Sequence, residues 1–84
     1  MKRLFFRGEK RVAAARILFG EEEDFCPHTY EKYTELEVVI QEDGRYSVWG
    51  NLPDDADLLQ DTRRDAQNRT AKLEPLANAC AEED

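Results

Sequence analysis

The chain has two cysteines and one histidine, Cys26, His28 and Cys80, and their spacing bounds the chemistry they can do. A closed zinc site takes four ligands, usually in paired CxxC or HxxxH spacing. Cys26-Pro27-His28 with a distant Cys80 lacks that spacing, and its fourth ligand would have to be a carboxylate. Cys26 and His28, two apart on an extended chain, point the same way, as a nucleophile and its base must. No motif, however, supplies an oxyanion hole or a carboxylate to orient the imidazole. The two thiols could also pair as a disulfide or sit as small buried side chains, and an intracellular chain favours the buried thiols. His28 reads as a loop or surface histidine.

Carboxylates are the abundant group: 19 Asp and Glu against 12 Lys and Arg give a formal charge of −7 over 84 residues. Asp54-Asp55-Ala56-Asp57 lacks the glycine-centred spacing of a calcium loop, and Gly8, Gly20, Gly44 and Gly50 are isolated, so no phosphate-cradling loop is present. The expectation is no catalytic residue, no metal, no cofactor and no enzymatic activity. The charge is uneven. Lys2, Arg3, Arg7, Lys10, Arg11 and Arg16 stand against Glu9 alone in residues 1–19, a surplus of five, so residues 20–84 carry −12. That pattern reads as a basic arm on an acidic body. A net acidic chain repels a phosphate backbone, so direct nucleic-acid binding is not expected, and a basic protein surface is the natural partner. No apolar run approaches the ~20 residues of a membrane span, and Arg16 interrupts the run from Val12 to Phe19, so a cytoplasmic location without membrane contact is expected.

The elements that must position these groups form one small α+β domain over 1–84, ordered strand, helix, β-hairpin, long helix. Leu4 and Phe6 on one side and Phe5 on the other predict an edge strand, followed by an Ala- and Leu-rich helix ending at Gly20; together they form the basic segment 1–19. An acidic loop covers 20–29. In 34–50, Leu36, Val38 and Ile40 alternate with Glu35, Glu37, Val39 and Gln41, and after Glu42-Asp43-Gly44 Tyr46 and Val48 alternate with Ser47 and Trp49. A hairpin with a three-residue loop and a left-handed Gly44 pairs Ile40 with Tyr46 and Val38 with Val48. It leaves Trp49 beside Val39 on the second face, an exposed apolar patch unless the chain ends cover it. Asn51-Leu52-Pro53-Asp54-Asp55 predicts a helix start, and Leu52, Ala56, Leu59, Ala66, Thr70, Leu73 and Ala77 fall in one sector of a helix over 52–80. This antiparallel sheet would carry that helix on the Leu36/Val38/Ile40 face. An acidic tail follows at 81–84.

On such a helix Asp54, Asp61 and Asp65 share the outer face, with Asp57 about 60° away and Asp55 beside the helix start. Carboxylates four residues apart stand about 6 Å apart along the axis, close to phosphate spacing. With Glu21, Glu22, Glu23 and Asp24 in the loop, this row could occupy a Lys/Arg groove built for nucleic acid. Lys32-Tyr33-Thr34, Val38-Val39-Ile40-Gln41, Tyr46 and Asp54-Asp55-Ala56-Asp57, in that order and before a polar, acid-ended helix, resemble the DNA-mimicking anti-CRISPR proteins of phages. The resemblance spans about residues 30–84, and residues 1–29 do not follow it. It implies an inhibitor that sits in the DNA groove of a CRISPR surveillance complex in the host cytoplasm, with Asp54, Asp55, Asp57, Asp61 and Asp65 facing the partner. The alternative is a small protein-interaction or regulatory module of a bacterium or phage, using the Trp49 face and the basic arm. A Cys/His metal-dependent enzyme is the third reading.

Overall fold

The computed structural model of the protein describes residues 1–82; Glu83 and Asp84, part of the acidic tail expected at 81–84, lie outside them. In chain order come β1 (Lys2–Phe6), α1 (Lys10–Phe19), a 3₁₀ segment (Pro27–Lys32), β2 (Glu35–Ile40), β3 (Tyr46–Leu52) and β4 (Asp55–Thr62). Then follow α2 (Ala66–Leu73), a 3₁₀ turn (Glu74–Leu76) and β5 (Ala79–Glu82). The strands form one antiparallel sheet in the order β4-β3-β2-β1-β5. The helices pack on one face of it. There Leu4 and Phe6 of β1, Leu36 and Val38 of β2 and Tyr46 and Val48 of β3 meet Ala14, Ala15, Leu18 and Phe19 of α1 and Ala66 and Leu73 of α2. These side chains alternate along each strand, so the other face is free of helices.

The β2–β3 hairpin has the register its alternation demands: Ile40 opposite Tyr46, Val38 opposite Val48, Glu37 opposite Trp49. Gln41 N–H donates to the Arg45 carbonyl, which leaves a three-residue loop, and Gly44 takes φ +88. At that angle a side chain would be strained, which is why glycine closes this turn.

The long helix over 52–80 does not form. Residues 55–62 are β4, and the only α-helical part of the range is Ala66–Leu73. Leu52 pairs with Asp55 across a two-residue turn, Pro53-Asp54, in which neither residue is left-handed. Pro at the first turn position and Asp at the second suit a tight turn as well as a helix start. What decides is β3: without β4 it would be the sheet edge, its backbone unpaired beside Tyr46, Val48 and Trp49.

The basic arm is likewise not an arm. β1 lies between β2 and β5 rather than at an edge, and its cations meet acids: Lys2 pairs with Glu74, Arg7 with Glu35, and Arg3 lies beside Glu37. Arg11 donates to the carbonyls of Gly8, Glu31 and Tyr33, which holds the start of α1 against the 3₁₀ segment. Among the described residues no helix is long and apolar enough to cross a membrane.

Candidate functional site

The helix-free face is read directly from strand register. Across its middle run Ala79, Phe5, Glu37, Trp49 and Leu58, one from each strand. The next row holds Ala81, Arg3, Val39, Ser47 and Asp61. On the other side lie Glu35, Asn51 and Ala56, with Arg7 beyond the end of β1. Trp49, the one tryptophan, is half-buried between Glu37 and Leu58. Leu58 is 51% exposed, and among the described residues no other large hydrophobic side chain is as open.

A β-bulge builds the outer part of this face. Val48 pairs with Gln60 and Trp49 with Leu58, so Leu59 is the extra residue. An inserted residue resets the alternation of the strand. Leu58 therefore stays on the helix-free face, Leu59 packs toward the core, Gln60 accepts a hydrogen bond from the Tyr46 hydroxyl, and Asp61 returns to the helix-free face opposite Ser47. There Asp61 takes a two-pronged hydrogen bond from Arg45, Nε and Nη2 each at 2.7 Å. The guanidinium holds the Asp61 carboxyl below the usual carboxylate range, and the same bond raises Arg45 further above its ordinary value.

On the reverse side of the same strands Tyr33 braces the site. An ideal Cβ on Gly50 would lie 2.6 Å from its ring atoms, so the ring is seated on a bare backbone, and its hydroxyl donates to Asp57 at 3.1 Å. The Gly50–Asp57 pair is next to Trp49–Leu58 in the ladder, so Tyr33 clamps β3 to β4 behind the two apolar side chains.

Charges on the helix-free face are matched in place. Arg7 Nε donates to Glu35, Asn51 donates to both Glu35 and Glu37, Arg3 Nε lies 3.9 Å from Glu37, and Arg45 holds Asp61. Among the described residues these pairs set Arg7, Arg3 and Arg45 beside Glu35, Glu37 and Asp61, on a chain whose total is −7. Within each pair the arginine stands higher: side-chain exposure is 59% against 16% for Arg7 and Glu35, 35% against 17% for Arg3 and Glu37, and 52% against 34% for Arg45 and Asp61. The middle row is apolar on either side of Glu37, with Phe5 towards β1 and Trp49 and Leu58 towards β4, and guanidinium groups stand raised around it.

The expected acid row is dispersed. Asp54 and Asp55 lie exposed at the β3–β4 turn, Asp57 faces the helices under Tyr33, Asp61 is bonded to Arg45, and Asp65 precedes α2 with φ 59. At about 3.3 Å per residue of strand the spacing differs from the 6 Å of the helical row. Glu21, Glu22, Glu23 and Asp24 are exposed, and among the described residues none of their carboxylates is in an ion pair. Cys26 and Cys80 are free and exposed rather than buried, and His28, also exposed, lies 3.4 Å from Glu31. Comparison with family models, curated proteins and solved structures finds no match to this chain.

Sequence reasoning marked Trp49 and Val39 as sharing the second face. It missed Leu58, placed there on a helix, and the Arg7, Arg3 and Arg45 pairs. The Asp55-Ala56-Asp57-Leu58 alternation was the available signal for β4.

Proposed function

We propose that the protein is a protein-interaction module that binds its partner through the helix-free face, with Trp49 and Leu58 as anchors. The observation that carries this reading is Leu58, an open leucine beside the one tryptophan on an otherwise charge-matched surface. Interface energy concentrates in aromatic and arginine side chains within an apolar centre, and arginine-rimmed tryptophan fits that composition. Raised arginines that already have partners also lose less on docking than free ones, because their geometry is fixed beforehand.

A second reading keeps the acidic protein that blocks a basic nucleic-acid-binding surface, such as that of a CRISPR complex. The specific support for it is the Glu21–Asp24 loop, whose exposed carboxylates no described cation neutralises. Asp57 and Asp61 contribute little to it, since each already serves another side chain.

One capture experiment separates the two. The immobilised wild type, Leu58→Glu, and the triple variant Glu22→Gln, Glu23→Gln, Asp24→Asn are exposed to the same cell lysate. The proposed reading expects a partner held by wild type and the triple variant and lost by Leu58→Glu, with circular dichroism unchanged in all three. Loss with the triple variant and retention by Leu58→Glu would move the function to the acidic loop.

A further inference from the structure

Lys2, Arg3, Arg7, Arg45 and Arg63 each stand beside a carboxylate. Arg16, Arg69 and Lys72 do not: among the described residues none of the three is in an ion pair. All three line one cleft of about 410 Å³ between α1 and α2. Arg16 comes from the last turn of α1, and Arg69 and Lys72, three residues apart, share a side of α2. Like charges gathered around one space repel one another, and an anion among them removes that repulsion.

Arg69 is the fixed member. It is half-buried, and its Nη1 donates to the Leu18 carbonyl at 2.7 Å and to the Tyr46 hydroxyl at 2.9 Å, which ties the guanidinium to the end of α1. Among the described residues its Nε and Nη2 hold no hydrogen bond, and both reach solvent. Donors already held in place lose little freedom when a ligand arrives. The same contact screens the Leu18 carbonyl, which at the end of a helix would otherwise repel an anion. Glu21 and Asp65, both exposed, also line the cleft, and neither forms an ion pair with the three cations. Three cations against two carboxylates leave one positive charge in surplus, on a chain of −7.

A carboxylate offers two coplanar oxygens. A phosphate monoester offers three, arrayed as a tetrahedron and carrying about −1.5 to −2 at neutral pH, so it can meet donors that arrive from two helices. The cleft lies in the range of roughly 300–1,000 Å³ that small-molecule sites occupy. It exceeds what a bare phosphate fills, and Ile17 and Asn68 supply an apolar wall and an amide for the rest of the molecule. We infer that the cleft between α1 and α2 binds the phosphate group of a small phosphate ester through Arg16, Arg69 and Lys72. This goes beyond the interaction reading, since the cleft lies among the helices and Trp49 and Leu58 on the opposite side of the sheet.

The test is a titration of the whole ¹⁵N-labelled protein, followed by NMR, with ribose 5-phosphate, adenosine monophosphate, adenosine, inorganic phosphate and a short phosphoserine peptide. Expected are saturable shifts of the Asn68, Arg69 and Lys72 amides and of the Arg69 Nε signal with the two esters, severalfold weaker binding of inorganic phosphate, and none of adenosine. Arg16→Gln with Lys72→Gln should weaken the esters at least tenfold and leave Arg69 and its bonds to the fold in place. Glu21→Gln should tighten them severalfold, and Lys10→Gln, an equal charge change at the other end of α1, should leave them unchanged. No saturable shift with either ester, indifference to the double variant, or an equal loss with Lys10→Gln would overturn the inference. Inorganic phosphate or the phosphoserine peptide binding as tightly as the esters would also overturn it, by assigning the cleft to the free ion or to a phosphoprotein.

Discussion

Replacing Gly50 with alanine should destabilise the domain, and the sign of that effect should reverse when Tyr33 is cut back. The added Cβ would sit 2.6 Å from Tyr33 Cε1 and Cζ, closer than carbon atoms approach without something moving. Tyr33 is 4% exposed, so its ring has little room to yield. Overpacking of this kind costs about 1–3 kcal/mol. Displacing the ring also breaks its hydrogen bond to Asp57, about 1 kcal/mol. Against these stands a gain of about 0.5–1 kcal/mol, because alanine has less unfolded-chain entropy to lose than glycine. The net expectation is a loss of roughly 1–3 kcal/mol. In a Tyr33→Val background the ring atoms are gone, and Gly50→Ala should then be neutral or stabilising by up to about 1 kcal/mol. Urea unfolding of the four proteins closes the double-mutant cycle, with trimethylamine N-oxide in every sample so that the Tyr33→Val chain remains folded. At a slope near 1 kcal/mol/M the coupling appears as a difference of at least ~1 M in midpoint shift. Equal penalties in both backgrounds would refute the claim that the ring seated on Gly50 clamps β3 to β4.

Arg11→Met should cost about 1.5–3 kcal/mol in thermal unfolding, because three carbonyls lose a charged donor. The Asp61 carboxyl, followed by NMR, should titrate below the ordinary value of about 3.9 and return toward it in Arg45→Ala. Its folded value is lowered, so the stabilisation it brings is fully present above the unfolded value and is lost as pH falls through the folded one. Cys26 and Cys80 should both react promptly with a thiol reagent in the native protein, and a Cys80 that reacts only after unfolding would contradict its exposure on β5.

Hairpin register was legible because period-two alternation on both sides of a three-residue loop leaves one pairing that keeps Leu36, Val38, Ile40, Tyr46 and Val48 together. The segment after it was not legible for a definite reason. Pro53-Asp54 serves a helix start and a tight turn alike, and the bulge at Leu59 breaks the strand alternation midway, so the helical sector through Leu52, Ala56 and Leu59 looked the more regular. β5 carries only Ala79, Cys80 and Ala81 before Glu82, with no β-branched or aromatic residue to mark it, and it forms because β1 offers an unpaired edge. The candidate site inherited both gaps. Trp49 was visible from the hairpin alone, whereas Leu58 and the Arg45–Asp61 pair exist on this face only once β4 and its bulge are in place.

The central claim, that partners bind at the Trp49 and Leu58 face, is tested most directly by photocrosslinking in the cells that produce the protein. Ala56, exposed at the rim of that face, and Glu23, in the acidic loop, are each replaced in turn by p-benzoylphenylalanine. The account predicts a discrete adduct from position 56, abolished by Leu58→Glu in the same chain, and none from position 23. An adduct from position 23 alone would contradict it.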